Sequence, residues 1–154
     1  MIAAWRICRA KHEKSAFSGM GCQYASGRWH LQNVPVVYCS DSEALAALEV
    51  FVHLTDEASK LKFVSFQLSV PESCVADVES IADLPADWRS EPPSDGTKQL
   101  GAHWVATAHS AVLSVPSVLI PSGRNLLLNP NHPQVKDVII QAPVPFSFDS
   151  RLWR

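Results

Sequence analysis

Residues 35–54, PVVYCSDSEALAALEVFVHL, contain a short β-branched run followed directly by the clearest helical pattern in the chain. The run Pro35–Cys39 is typical of a strand. Behind it, Ser40 and Glu43 have the spacing of a capping box, which predicts a helix over about residues 41–55. At about 100° per residue, the apolar side chains cover most of the circumference, so we expect this helix to be covered on several sides.

The other predicted elements are short, and strands and helices do not alternate regularly along the chain. A second helix is predicted over Gln99–Leu113, whereas residues 10–27 and the Pro-, Asp- and Ser-rich residues 84–98 are predicted to be loops. The polar ends of Asn125–His132 indicate a turn. Further strands are predicted at Ile2–Cys8, Phe63–Val70, Pro116–Pro121, Asp137–Gln141 and Pro145–Trp153. This order favours an α+β fold over a doubly wound sheet.

Composition limits both the architecture and the class of ligand. The chain has 154 residues, of which 47% are apolar and 18% charged, which predicts one folded domain over residues 1–154 and excludes wholesale disorder. Thirteen Lys and Arg against fifteen Asp and Glu give a net charge of −2, without a basic stripe, so we do not expect direct binding to nucleic acid. No stretch approaches the roughly 20 apolar residues that cross a bilayer, so no membrane partner is expected.

The cysteines and histidines carry no metal signature. No two of the four cysteines (Cys8, Cys22, Cys39 and Cys74) are spaced as CxxC, and no HExxH motif is present, so we predict no metal site. Because no signal-peptide pattern opens the chain, we expect a reducing, cytoplasmic setting in which the cysteines are mostly small buried hydrophobic residues. The GxGxxG, P-loop and GxSxG patterns are also absent.

Residues 26–30, SGRWH, follow a glycine-rich loop and place Arg28 between a glycine and a tryptophan. A guanidinium presented in this way suits bidentate contact with a phosphate or a carboxylate. The alternative is an ordinary arginine that stacks on Trp29 or pairs with a surface acid. The spacing alone leaves both interpretations open.

Three further polar side chains lie on predicted apolar elements. Glu49 lies on the first helix among leucine and valine residues, so it either faces a cleft or forms a solvated pair with His53. Ser117 lies within VPSVLIP, where its hydroxyl needs a partner and neighbouring backbone is the simplest one. Tyr38, at the end of a predicted strand, is by itself more typical of a half-buried core aromatic.

Together these motifs resemble the RES-domain toxins of bacterial RES–Xre toxin–antitoxin pairs, a family named after an arginine, a glutamate and a serine. The three match Arg28 in GRWH, Glu49 in ALAALEVFVHL and Ser117 in VPSVLIP. The strand tyrosine of the family matches Tyr38 in PVVYCS.

The resemblance extends over about residues 5–132, which is nearly the whole chain. The asparagine-rich stretch of the family matches Asn125 and Asn129 in NLLLNPNHP, and the opening WRI agrees as well. The chain departs from the family pattern at His30, where asparagine is expected after the Arg-Trp pair.

The resemblance implies an ADP-ribosyltransferase-like fold of split antiparallel β-sheets with flanking helices. It also implies cleavage of the nicotinamide–ribose bond of NAD, by hydrolysis or phosphorolysis, with NAD as substrate and no cofactor. Glu49, Arg28 and Tyr38 would be catalytic, and Ser117 and Asn125 would join them in binding the dinucleotide. The expected partners are an Xre-type helix-turn-helix antitoxin, which carries the DNA contacts, and a second copy of the chain in a homodimer within the complex.

The residue types suit such an activity. Loss of nicotinamide leaves positive charge on the ribose, as in glycoside cleavage, and a carboxylate such as Glu49 stabilises that charge. Arg28 suits the pyrophosphate, the ring of Tyr38 suits the nicotinamide, and Ser117 either contacts the ribose or steadies Glu49. Two alternatives stay open: a mono-ADP-ribosyltransferase that modifies a protein, and a protein-binding module in which Arg28 and Glu49 form only structural pairs.

Overall fold

Apolar side chains alternate between the two faces of the central strands, and this alternation determines the layers of the molecule. The computed structural model of the chain describes residues 1–153. The strands are β1 (Ile2–Arg9), β2 (Val37–Ser40), β3 (Phe63–Val70), β4 (Val75–Asp77), β5 (Val112–Pro116), β6 (Arg124–Leu128), β7 (Ile139–Ile140) and β8 (Val144–Phe146), and the helices are α1 (Glu43–Phe51) and α2 (Asp95–Thr107). No helix among these residues is long and apolar enough to cross a membrane.

The strands form one hydrogen-bonded sheet in the order β4-β5-β6-β2-β1-β3-β7, and β8 also pairs with β3. Every pair is antiparallel except β4 with β5. β1 and β3 pair along their whole length, whereas β1 and β2 meet only where Trp5 pairs with Ser40. The sheet is therefore nearly split into two halves between β1 and β2. The predicted α+β class is confirmed, and the parallel β4–β5 pair is an addition to the antiparallel arrangement that we expected.

Each face of the sheet has its own core. Along β6, Leu127 packs beneath α2 together with Trp104, while Leu126 and Leu128 belong to the core of the opposite face. A third cluster lies under α1 and is built on Ile7, Ala46 and Phe63. Because side chains alternate along β6, its three consecutive leucines pack on both faces of the sheet.

The strip of sheet between the two helices is polar. Directly paired residues of antiparallel strands project to the same face, and Ser40 pairs with Trp5 on one side and with Asn125 on the other. Tyr38 lies two residues before Ser40 and shares this face. Since Trp5 packs under α1 and Leu127 under α2, both helices cover this face and flank the polar strip.

The first helix is shorter than predicted, and its N-cap lies two residues later than predicted. Ser40 belongs to β2, and the N-cap is Ser42, whose Oγ accepts a hydrogen bond from the Leu45 N–H at 3.1 Å. Glu43 instead accepts a hydrogen bond from Ser65 Oγ at 2.8 Å. The predicted capping box is therefore wrong, although a helix is present in the predicted region.

The second helix is displaced from its predicted position. α2 ends at Thr107, and Ala108 adopts a positive φ of 48°, which turns the chain towards β5. Consequently the strand predicted at Pro116–Pro121 is wrong, because β5 ends at Pro116 and Ser117 lies just beyond it. The turn predicted at Asn125–His132 is also wrong in its first half, which belongs to β6.

Candidate active site

Two side chains from the sheet hold the carboxylate of Glu49. Its Oε1 atom accepts hydrogen bonds from Ser117 Oγ at 2.7 Å and from Asn125 Nδ2 at 2.8 Å. We call Glu49, Ser117 and Asn125 the carboxylate clamp. No side-chain oxygen among residues 1–153 is both buried and without a partner, and no hydrogen bond reaches Glu49 Oε2, so this second oxygen is open to solvent. One carboxylate oxygen is fixed while the other is available to a ligand.

Strand register orients the two donors of the carboxylate clamp. Ser40 pairs with Asn125 across β2 and β6, and its Oγ donates to Asn125 Oδ1 at 2.7 Å. With its oxygen engaged in this way, the amide of Asn125 presents its NH₂ group to Glu49. The hydroxyl oxygen of Ser117 accepts the Ile120 N–H at 3.2 Å, which leaves its hydrogen for Glu49. Ser117 thus has both the backbone partner expected from the sequence and a carboxylate partner.

Arg28 lies in a tight turn that depends on glycine. Gly27 and His30 form an isolated antiparallel bridge in which the Gly27 N–H donates to His30 O at 3.0 Å. A Cβ atom at Gly27 would lie 2.5 Å from His30 Cε1 and 3.1 Å from the hydroxyl of Tyr38. Only glycine therefore allows the imidazole to fold back over the turn.

The guanidinium of Arg28 is held by the loop that precedes α2. Its Nη1 donates to Trp88 O at 2.9 Å and to Ser90 O at 2.7 Å, and its Nη2 donates to Glu91 Oε2 at 3.1 Å. The side chain of Arg28 is 14% exposed and that of Glu91 is 79% exposed. The surface-acid pairing considered from the sequence is therefore present. An anionic ligand at Nη2 would displace the exposed carboxylate and leave the two carbonyl contacts intact.

The same loop connects Arg28 with the carboxylate clamp. The carbonyls of residues 88 and 90 contact Arg28, while Arg89 between them donates its Nη2 to Val118 O at 2.9 Å. Val118 directly follows the serine of the clamp. The guanidinium and the clamp thus lie on two sides of one short segment, although they come from distant parts of the sequence.

Tyr38 lies within the electrostatic reach of both charged groups. Its hydroxyl is 2.7 Å from His30 Nδ1 and accepts the Trp29 N–H at 3.3 Å. Burial raises the pKa of Tyr38 well above its usual range, while the nearby charges act in opposite directions, Arg28 lowering this pKa and Glu49 raising it. The phenol therefore stays protonated at neutral pH. It can offer a ring and a neutral hydroxyl to a ligand, but it cannot act as a base.

A cleft of about 290 Å³ opens beside Tyr38, where the sheet is split. Its walls come from β1, the loop of residues 15–26, His30 and the start of β2. Arg6 spans the split, donating Nη1 to Tyr38 O at 2.9 Å and Nε to Ala16 O at 2.7 Å. None of the ion pairs among residues 1–153 involves Arg6, so it adds positive charge to the cleft.

Arg6 lines this cleft, whereas Arg28 and the carboxylate clamp do not, and the sequence analysis did not single it out. The stretch Ile2–Cys8 was interpreted only as a strand, although Arg6 is its single charged residue. An arginine within an otherwise apolar strand needs partners, and that requirement was the available signal.

The structure brings some of the other predicted site residues together and leaves others apart. Ser117 and Asn125 both contact Glu49, and Tyr38 lies within the electrostatic reach of Arg28 and Glu49. Glu49 forms no ion pair with His53, which is exposed. The buried Asn129, by contrast, accepts the N–H of residue 131 on its Oδ1 and shapes the turn after β6.

Comparisons with known proteins agree with these features. A match to the RES domain family spans residues 3–149. The proteins named Toxin Res from Photorhabdus laumondii and Pseudomonas putida are each 37% identical to the chain, over 149 residues (96% of this chain, 95% of that protein) and 152 residues (97% and 98%). The Prs ADP-ribosylating toxin of a Sphingobium species is 34% identical over 154 residues, covering 97% of this chain and 96% of that protein. The chain therefore belongs to the RES domain family.

A solved structure has the same fold. The match is to the M. tuberculosis MbcT–MbcA toxin–antitoxin complex, with a TM-score of 0.75 over 98% of this chain and 86% of the matched chain. The sequence identity is 17%, so this likeness concerns the fold alone.

Proposed function

We propose that the chain is the toxin of a toxin–antitoxin pair and that it cleaves the nicotinamide–ribose bond of NAD. The carboxylate clamp is the observation that carries the proposal. A half-buried carboxylate with one oxygen fixed and the other open suits the stabilisation of positive charge that develops beside it.

The reaction breaks the bond between ribose C1″ and the nicotinamide nitrogen. Nicotinamide leaves with the bonding electron pair as a neutral molecule, and the ribose passes through an oxocarbenium-like state. An acceptor oxygen then bonds to C1″ and loses a proton, which gives ADP-ribose from water or ADP-ribose 1″-phosphate from phosphate. In this proposal Glu49 stabilises the positive ribose, and Ser117 and Asn125 keep the carboxylate in place.

The cationic and aromatic groups would bind the remainder of the dinucleotide. Arg28 and Arg6 offer guanidinium donors suited to phosphate oxygens, and Arg6 needs no carboxylate to be displaced first. The ring of Tyr38, which lines the cleft and lies within the electrostatic reach of Glu49, suits contact with the nicotinamide. No metal or further cofactor is part of the proposal.

We also propose an antitoxin of the Xre type as partner, a homodimer within the complex, and a cytoplasmic setting. The similarity to proteins named Toxin Res and the fold shared with a toxin–antitoxin complex support an antitoxin partner. The net charge of −2 suits a chain that leaves contact with DNA to its partner.

One relative favours a second candidate function, which is mono-ADP-ribosylation of a protein. The Sphingobium relative, matched over nearly its whole length, is named as an ADP-ribosylating toxin. The cleavage chemistry is the same in both cases, and only the acceptor that attacks C1″ differs.

The two candidates are separated by the fate of the ADP-ribose. Purified protein without antitoxin is incubated with NAD, with and without phosphate and with cell extract, and the products are analysed by mass spectrometry. We expect free nicotinamide together with ADP-ribose or its 1″-phosphate. ADP-ribose attached to a protein would select the second candidate, and intact NAD in every reaction would refute both.

A further inference from the structure

His30 uses both of its ring nitrogens in hydrogen bonds. Nε2 lies 3.0 Å from Ala25 O, and because a carbonyl only accepts, Nε2 must carry the hydrogen. Nδ1 of the neutral ring is then an acceptor, so the hydroxyl of Tyr38 donates to it across 2.7 Å. The Trp29 N–H donates to the same hydroxyl oxygen. For a neutral ring, the Ala25 carbonyl thus fixes the direction of the hydrogen bond between His30 and Tyr38.

This arrangement fixes the orientation of the tyrosine ring. The rings of His30 and Tyr38 meet edge to face, with centroids 5.5 Å apart and planes at 64°. His30 is 7% exposed, and both side chains line the cleft in the split sheet. The missing Cβ of Gly27 leaves room for the imidazole. The turn therefore supports the tyrosine, and every side-chain polar atom of the two residues is engaged in a hydrogen bond.

We infer that His30 is a positioning residue that holds the ring of Tyr38 against the substrate cleft. The inference rests on the proposed function, since the value of a fixed ring lies in its contact with the nicotinamide end of NAD. Because the hydroxyl of Tyr38 donates its hydrogen bond to His30, Tyr38 offers the substrate its ring and the acceptor side of a neutral hydroxyl, but no donor. Both ring nitrogens of His30 are engaged by Tyr38 and Ala25, so His30 has no hydrogen bond to offer the substrate and acts on the reaction through the tyrosine.

The surroundings keep the imidazole neutral, as this role requires. Burial lowers the pKa of His30, the Ala25 carbonyl opposes this effect, and the positive charge of Lys98 lowers the pKa further. Lys98 lies on α2 and donates to Ser26 Oγ at 2.9 Å. A neutral ring retains the Nδ1 acceptor that the tyrosine hydroxyl needs.

Four variants of the full chain test the inference: His30→Asn, His30→Leu, Tyr38→Phe and the double variant His30→Leu/Tyr38→Phe. Asparagine places its side-chain oxygen near the position of Nδ1 and can still accept from Tyr38, whereas leucine cannot. We expect His30→Leu and Tyr38→Phe each to lower kcat for NAD cleavage about five- to tenfold, the loss that one hydrogen bond accounts for. His30→Asn should stay within about threefold of the unaltered chain, and the double variant should be no worse than either single variant.

A second measurement does not depend on activity. Nitrogen-15 NMR of the unaltered chain should show His30 as the Nε2–H tautomer, and Tyr38→Phe should shift the Nδ1 resonance by removing its donor. The inference would be overturned if His30→Asn and His30→Leu had equal kcat, or if the loss in kcat of the double variant equalled the product of the two single losses. Neither result would contradict NAD cleavage itself. A chain that leaves NAD intact would refute the proposed function instead, and the NMR result would still decide whether His30 holds the tyrosine.

Discussion

Glu49 on α1 and Asn125 on β6 are 76 positions apart in the sequence, and a 2.8 Å hydrogen bond joins their side chains. Asn125 is oriented in turn by Ser40, its partner in the β2–β6 register. The position of a carboxylate on a helix is thus determined by strand pairing. A ladder shifted by one residue would turn the amide to the other face and release the carboxylate.

Replacing Glu49 with glutamine should abolish NAD cleavage while the fold persists. Glutamine keeps the size of the side chain and an oxygen for Ser117, but it removes the negative charge that would stabilise the ribose. We expect a loss in kcat of about 100-fold or more, measured by nicotinamide release. The matched control is Glu43→Gln on the same helix, which also loses a carboxylate bonded to a serine. Equal activity in the two variants would remove Glu49 from the reaction.

Replacing Glu91 with glutamine should improve the binding of NAD. Its exposed carboxylate competes for Arg28 Nη2, while the two carbonyls that hold Nη1 are unaffected. Since exposed ion pairs are weak, we expect a KM about two- to fivefold lower with unchanged kcat. Glu57→Gln, at another exposed position, serves as the control. A KM that stays the same or rises would show that substrate does not use this side of Arg28.

Replacing Gly101 with alanine should destabilise the chain. A Cβ atom there would overlap the backbone carbonyl of Trp29, and a backbone atom cannot rotate away as the end of a side chain can. We expect a loss in the free energy of unfolding of about 2 kcal/mol or more, measured by urea denaturation. Gly21→Ala is the matched control, because nothing lies within 4 Å of its added Cβ. Similar stability in both variants would contradict close packing of α2 on the SGRWH turn.

The stability of the chain should fall on acidification in a way that depends on His30. Its pKa is lowered by burial in the folded chain, so the unfolded chain binds the proton more readily. Stability is therefore fully present above the unfolded pKa of about 6.5 and declines as pH falls from there through the lowered folded value. Urea denaturation between about pH 7.5 and 5 should give a flatter dependence for His30→Asn than for the unaltered chain. The exposed His103→Asn should keep the original slope, and a slope unchanged in both variants would contradict the burial of a neutral imidazole.

The local sequence pattern was sufficient to predict the elements whose bounds are set by residues within or next to them. β3 occupies the predicted range Phe63–Val70, since eight suitable residues end at a proline. The first helix exists but stops at Phe51, because the chain continues beyond it in turns where the Leu54 N–H donates to Phe51 O. Apolar periodicity does not distinguish such turns from helix, so the predicted end at about residue 55 was too late.

The errors concern features that tertiary contacts decide. The first half of Asn125–His132, which belongs to β6, was predicted as a turn because asparagines flank its three leucines. Three consecutive apolar residues are too few to show the periodicity of a strand or a helix. α2 ends at Thr107, and the next residue, Ala108, lies in the left-handed region. The usual sequence signal for such a helix end is glycine, which is absent at this position. Likewise, Arg28 meets carbonyls 60 and 62 residues away, a contact that no spacing within SGRWH predicts. Glu49 and Ser117 were candidates from their apolar surroundings and Asn125 only from the family resemblance, but their contacts with one another required coordinates.

Among residues 1–153, β1 and β2 are paired at one position alone, Trp5 with Ser40, whereas the hydrophobic core on the face opposite the helices includes residues from both halves of the sheet. The opening above that core is therefore bounded by Arg6 and by the loop of residues 15–26 instead of by a continuous ladder. Substitutions in this loop can widen or narrow the mouth during evolution without breaking backbone pairing in either half. Under the proposed function, this loop would therefore set how large an attacking group can enter, from a water molecule to the side chain of another protein.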